Sequence, residues 1–277
     1  MRFNLAQMAK RSGLRRSVTI RDIRPPAMFA TNLFNAAYAD VVKVWEEAAP
    51  RLIEEYRRSL SELTQDSLTD LEHIFAEAER QTGAIFFQLK PALERWSLFV
   101  ERWYRQKWVA AVQSASRVDL STMLGASDVR MSLETSIANN VALVRSVSDE
   151  TRQKMSQAVF DGLRNRTPAD EVAKRIRDVA GMGRARARRI ASDQLAKLTS
   201  SLADERRRQA GLSEWEWLHS GKLHPREDHR ARNGRVYSDD PGEVGGKING
   251  KAITAPPNDR PGQLPFCGCR SRSVIAI

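Results

Sequence analysis

The sequence predicts a mainly α protein: an elongated multi-helix body followed by a small C-terminal α+β module. Apolar residues recur at helical spacing through most of the chain ahead of Gly211. Charged residues make up 29% and apolar residues 41%, a balance suited to long amphipathic helices with solvated faces. Past Gly211 the period shortens, and Trp215 and Trp217 alternate with Glu214 and Glu216 as in a strand.

Four segments follow from this pattern. Residues 1–29 hold seven basic side chains against Asp22 and end at Pro25-Pro26, which predicts a basic, extended or loosely ordered arm. Residues 30–118 form an N-terminal helical region. Leu33, Ala36, Ala37, Val41, Val44 and Trp45 mark its first helix, and Pro50 starts a new helix or kinks this one. A second helix starts near Ser67, with Leu68, Leu71, Ile74, Phe75 and Ala78 on one face. Lys90-Pro91 predicts a break before a third, lined by Leu93, Trp96, Phe99, Val100, Trp103 and Trp108.

Residues 119–211 form a central helical region. Asp119 and Asp128 are expected as caps around Gly125. Helices run through Val141–Val144, Met155–Leu163 and Ala169–Val179, the last opening at Thr167-Pro168. Gly181-Met182-Gly183 predicts another break before an arginine-rich helix that stops at Gly211. Residues 212–277 are the C-terminal module. A helical turn is expected over 225–231 and a turn at Asn233-Gly234, followed by a strand over Arg235–Tyr237. Ile248-Asn249-Gly250-Lys251 is the strongest short hairpin signal, and Ser271–Ile277 is a closing strand.

The net charge of +11 suggests an acidic partner, nucleic acid first among them. Acidic side chains concentrate between Glu46 and Glu79, and basic ones between Arg175 and Arg208. Such opposed regions suit repeated copies of one subunit, docking between domains, or simply solvated helix faces. The cysteines, Cys267 and Cys269, give no disulfide framework, which fits a reducing setting. No apolar run is long enough to span a bilayer, and the basic N-terminus lacks a secretory apolar stretch.

Three of the four histidines and both cysteines lie in the C-terminal module. His224, His229, Cys267 and Cys269 are donor types that suit a structural zinc. The alternative is that His229 hydrogen-bonds its turn while the cysteines pack as small apolar groups. No other cofactor is expected, and no catalytic residue is assigned. A nuclease built on His229 and Asn233 would need a further downstream histidine, and none follows. A deaminase would need a different cysteine spacing and a glutamate after its first ligand. In the basic helix, Arg184, Arg188, Arg189 and Lys197 are candidates for phosphate contacts.

These motifs together resemble the phage Mu F-like minor head, or head morphogenesis, proteins. Asn140 through Val147 is similar to that family's Asn-Val-x-Leu segment, and Arg184 through Gln194 to its Arg-Ala-x-x-Ile-Ala-Arg-Asp-Gln helix. Trp217 through Ser220, Arg226, His229, Gly234 and Cys267-x-Cys269-Arg270 resemble its C-terminal signature. The likeness covers about residues 137–277. Two departures stand out. Lys222 lies where the family often has Asp, and Gly268 replaces the Arg of its usual Cys-Arg-Cys. Position 224 is His, where the family often carries an Arg-x-x-Arg-x-x-His pattern.

The resemblance implies a non-enzymatic virion component in the head interior at the portal vertex, passing through the host cytoplasm during assembly. Its implied partners are the portal protein, the major capsid or scaffold protein, and double-stranded DNA bound without sequence preference. It implies multiple copies per head and no membrane attachment at rest. Relatives with toxin domains carry them beyond this module, and none is expected in the eight residues after Cys269.

Overall fold

Apolar spacing, rather than proline or glycine punctuation, sets the length of the helices. The computed structural model describes residues 3–61, 65–223 and 225–277, without the side chains of 65–67. Helix α1 spans Leu5–Arg11 and strand β1 Val18–Thr19. Helix α2, Met28–Leu33, passes through a π-helical turn at Phe34–Tyr38 into α3, Ala39–Ser61. Three long helices follow: α4 (Gln65–Ser116), α5 (Arg130–Asn165) and α6 (Ala169–Gln209). The rest is β2 (Glu214–Leu218), α7 (Glu227–Ala231), β3 (Val236–Ser238), β4 (Lys247–Ile248), β5 (Lys251–Thr254) and β6 (Arg270–Ile275).

The breaks expected at Lys90-Pro91 and Gly181-Met182-Gly183 do not occur, and Pro50 starts no new helix: each lies inside a continuous helix. An interior proline loses one hydrogen bond and crowds the preceding turn, at a cost of about 3 kcal/mol. Burial on both sides offsets it. Ala49 and Leu52 flank Pro50, and Leu89 and Leu93 flank Pro91, all buried. Gly183 has a packing role: a Cβ there would lie 3.0 Å from Thr151 Oγ1. The glycine lets α6 approach α5 closely.

The chain divides into two compact units. One comprises Ala30–Trp96 and Ile137–Ala191. Its core contains Trp45, Leu52, Tyr56, Leu71, Phe75, Val159, Val172 and Ile176. Polar ends of the buried rings find partners. Trp45 Nε1 donates to Ser148 Oγ at 2.9 Å, Tyr56 Oη to the Thr167 carbonyl at 2.7 Å, and Tyr38 Oη to Asn140 Oδ1 at 3.0 Å.

The other unit comprises the chain up to Phe29, Ser97–Ser136 and Ser192–Ile277. The N-terminal segment is tied into it, in contrast to the loose arm expected from its charge. Leu5, Ala9 and Ile20 are buried, a short apolar pattern that the run of arginines obscures. The Phe3 and Leu5 amides donate to the carbonyls of Gln209 and Ala210, at 3.0 and 2.9 Å. Val18 pairs with Ile275, and Arg270 grips Asp22 through Nε and Nη2 at 3.0 and 2.8 Å.

Gly211 ends α6 as expected, with φ +65°. Leu212 N–H reaches the Arg207 carbonyl and Gly211 N–H the Arg208 carbonyl, the two bonds of a Schellman stop. Asp119 accepts from the Ser121 amide and Asp128 from the Gly125 amide, so both brace the connection before α5. The sheet has the order β1-β6-β2-β3-β5-β4. All neighbouring strands are antiparallel except β3 and β5. Asn249 and Gly250, at φ 49° and 77°, make the expected hairpin turn. Strand alternation separates two apolar clusters: Trp215, Trp217 and Tyr237 with the cysteines, and Val236, Ile248, Ile253 and Val274.

Candidate metal centre

Three of the four metal-ligand candidates meet in the C-terminal module. Helix α7 opens directly after the extended Arg226 and carries His229 inward, where the side chain is 2% exposed. The cysteines lie immediately before β6. A turn closed by the Cys267 amide on the Leu264 carbonyl sets Phe266 at φ 58° and Gly268 at φ 68°. That path turns both thiols inward, and Cys267 and Cys269 are 5% and 2% exposed. His229 Nδ1 lies 3.1 Å from Cys267 Sγ and 3.7 Å from Cys269 Sγ. His224 lies outside the described residues.

The other imidazole nitrogen faces an acid. Nε2 is 2.7 Å from Asp259 Oδ2. Asp259 Oδ1 accepts from Arg232 Nη1 at 2.6 Å. Burial raises the Asp259 carboxyl, but the bond and charge of Arg232 and the nearby His229 outweigh it, so it is held below the usual carboxylate range. The two thiols are pushed apart. The hydrogen bond from Cys269 pulls Cys267 down, and the same bond, with burial, pushes Cys269 up.

Aromatic packing encloses the cluster. The Trp217 ring meets His229 edge-on at a centroid distance of 5.1 Å, and the Arg232 guanidinium lies 5.0 Å from the Trp217 ring centre. Trp215 stacks on Tyr237 at 4.8 Å. Its indole N–H donates to Asp239 at 3.2 Å, and Asp239 also accepts from Arg260 at 2.6 Å. Asn233 Oδ1 accepts from the His219 amide at 3.0 Å, joining the turn to the end of β2.

Two of the positions that depart from the pattern of the resembled family, 222 and 268, lie against each other. A Cβ on Gly268 would lie 3.1 Å from Lys222 Cε and 3.2 Å from Nζ, and Lys222 donates to the Phe266 carbonyl. Lysine at 222 therefore occupies space that a side chain at 268 would need.

Sequence reasoning missed Asp259. It sits in Pro256-Pro257-Asn258-Asp259-Arg260-Pro261, a loop with no periodic signal, and only the tertiary fold carries it to His229.

The nucleic-acid candidates are placed differently from one another. Arg184 makes a two-pronged pair with Glu46 at 2.6 and 2.5 Å. Arg188 is exposed, with its guanidinium 5.4 Å from the Phe34 ring centre, and Arg189 is exposed. Lys197 pairs with Asp193 at 3.1 Å. Farther along α6, Arg206 is buried against Glu101 at 2.6 Å. Much of the positive charge that suggested phosphate binding is thus engaged within the protein.

Residues 153–272 match the family model described as Phage Mu protein F like protein, which bears out the resemblance read from the motifs over that segment. An uncharacterized protein of Haemophilus influenzae is 25% identical over 127 residues, covering 46% of this chain and 28% of that protein. The chain thus matches less than a third of that relative's length. No solved structure matches. No helix of the described residues is long and apolar enough to cross a membrane.

Proposed function

We propose that the chain is a minor head protein of a tailed phage or prophage, docking on the portal inside the head and assisting head assembly, DNA packaging or DNA ejection. The observation that carries this reading is the Mu F-like match over residues 153–272, from within α5 to β6. The net charge of +11 supports a role beside packaged DNA, with non-specific contacts to the duplex. Multiple copies at the portal vertex, with the major capsid or scaffold protein as further partners, fit the same reading.

The mechanism is binding rather than catalysis. A nuclease centred on His229 would need its imidazole open to a phosphodiester, whereas the side chain is 2% exposed behind Trp217. The test is co-purification of the chain with the portal protein of its phage or prophage, together with its recovery in purified heads. Recovery in both supports the reading. Absence from both portal complexes and heads overturns it.

A further inference from the structure

We propose that His229 Nδ1 and the thiolates of Cys267 and Cys269 bind a zinc ion, with Asp259 as the carboxylate that orients the imidazole. This stands apart from the reading of the chain as a head protein, since it concerns how the C-terminal module is closed.

Donor geometry is the first support. The nitrogen and both sulfurs lie within 4.8 Å of one another. Around tetrahedral zinc, with bonds of about 2.0–2.3 Å, such donors would sit roughly 3.6 Å apart. His229 Nδ1 is already 3.1 and 3.7 Å from the two sulfurs. A shift of a few tenths of an ångström in side chains would seat the ion.

Asp259 is the second support. A metal-bound histidine nearly always gives its other ring N–H to a carboxylate or carbonyl, which fixes the tautomer. Nε2 of His229 lies 2.7 Å from Asp259 Oδ2 but off the line of a hydrogen bond, so a small turn of the ring would give its N–H to the carboxylate and leave the lone pair on Nδ1, toward the sulfurs. Arg232 holds the other Asp259 oxygen, so the carboxylate is fixed as a hydrogen-bond partner and not turned to the metal side.

The alternatives use the same atoms less well. A Cys-His-Asp nucleophile would need an accessible thiol, and Cys267 is 5% exposed. A disulfide between cysteines separated by one residue strains the preferred geometry, and both thiols are free. A zinc ion neutralises the thiolates and joins α7 to the start of β6 across a loop rich in glycine and proline. A module of this size has little apolar area with which to close that loop otherwise.

The experiment uses the full-length chain, purified without chelator. Elemental analysis is expected to find about one zinc per chain. After exchange with cobalt(II), visible bands of tetrahedral cobalt and a near-ultraviolet thiolate charge-transfer band are expected. Cys267→Ser and Cys269→Ser should each weaken the thiolate band. Asp259→Asn should retain the metal but lose about 10–100-fold in affinity by chelator competition. The proposal is overturned if the parent chain takes up neither zinc nor cobalt, or if a Cys267→Ser/Cys269→Ser double variant binds metal as tightly as the parent. Should the cysteine variants not fold, the cobalt spectrum of the parent decides: a thiolate band supports the site, and its absence refutes it.

Discussion

Nε2 of His229 and Oδ2 of Asp259 lie 2.7 Å apart, and neither atom has a hydrogen-bond partner elsewhere among the described residues. The pair links α7 to a loop that contributes no regular structure around Asp259. The approach is a close charge contact inside a closed shell and not an aligned hydrogen bond, so each atom has the other as a buried electrostatic partner.

Asp259→Ala should therefore destabilise the chain by about 1–3 kcal/mol, the usual cost of stranding a buried polar group. Arg232 would retain Asp228, at 2.9 Å, which limits the loss on that side. Urea denaturation with chelator present separates this effect from any metal. A change within experimental error would show that the contact carries no stability.

Arg206 and Glu101 are each 1% exposed in side chain and meet at 2.6 Å. Arg206 would keep Asp128 at 3.7 Å and the Gly125 carbonyl at 2.9 Å, so Glu101→Ala should cost about 1–3 kcal/mol, short of stranding a lone buried charge. The double variant Glu101→Leu/Arg206→Met should recover much of that loss, because it removes both charges. Equal instability of the single and double variants would locate the cost in packing instead.

Gly162 faces Tyr56 and Val172, where an added Cβ would lie 2.8 Å from Tyr56 Oη and from Val172 Cγ2. Gly162→Ala is expected to cost about 1–3 kcal/mol by overpacking. Calorimetry should show a lower Tm. An unchanged Tm would mean that the tyrosine ring moves aside at no cost.

The fold was legible where local chemistry decides it and obscure where tertiary packing overrides it. Asn249-Gly250 announced its hairpin, and Gly211 its helix stop, because positive φ is a local demand. Pro91 and Gly183 pointed to breaks, and Pro50 to a new helix or a kink, but the helices run on through all three, since burial on both sides outweighs a local defect of a few kcal/mol. Leu5 and Ile20 were masked by surrounding arginines, and their backbone partners, Ala210 and Ser273, lie in the last third of the chain. At the candidate centre, His229, Cys267 and Cys269 were readable as donor types. Asp259 was not, because one acid in a proline-rich loop has no pattern of its own.

Acid should loosen the C-terminal module. Burial raises the Asp239 carboxyl, but the Arg260 hydrogen bond, the charge of Arg207 and the Trp215 N–H together hold it below the ordinary carboxylate range. A depressed folded value stabilises the protein above the unfolded pKa of about 3.9 and loses that contribution as pH falls through the lower folded value. Trp215 fluorescence should therefore report loosening in strong acid, below the ordinary carboxylate range. Asp239→Asn should remove that component of the acid transition. A variant with the same acid dependence as the parent would assign it to other carboxylates.

DNA binding by α6 should depend on its exposed arginines more than on the half-buried Arg184. Arg188 and Arg189 are exposed, whereas Arg184 is held by Glu46. If the helix meets duplex DNA, affinity falls steeply with salt, because each neutralised phosphate releases bound counterions. Neutralising Arg188 and Arg189 to Gln should weaken binding uniformly across sequences and lower the salt slope by about one for each lost phosphate contact. Arg184→Gln should leave that slope nearly unchanged and instead lower stability, by less than about 1 kcal/mol, since its ion pair is partly open to solvent. Fluorescence anisotropy over a salt series, with chemical denaturation in parallel, resolves the two effects. A salt slope that responds to Arg184 and not to Arg188 or Arg189 would mean that DNA displaces Glu46, and the assignment of exposed contacts would be wrong.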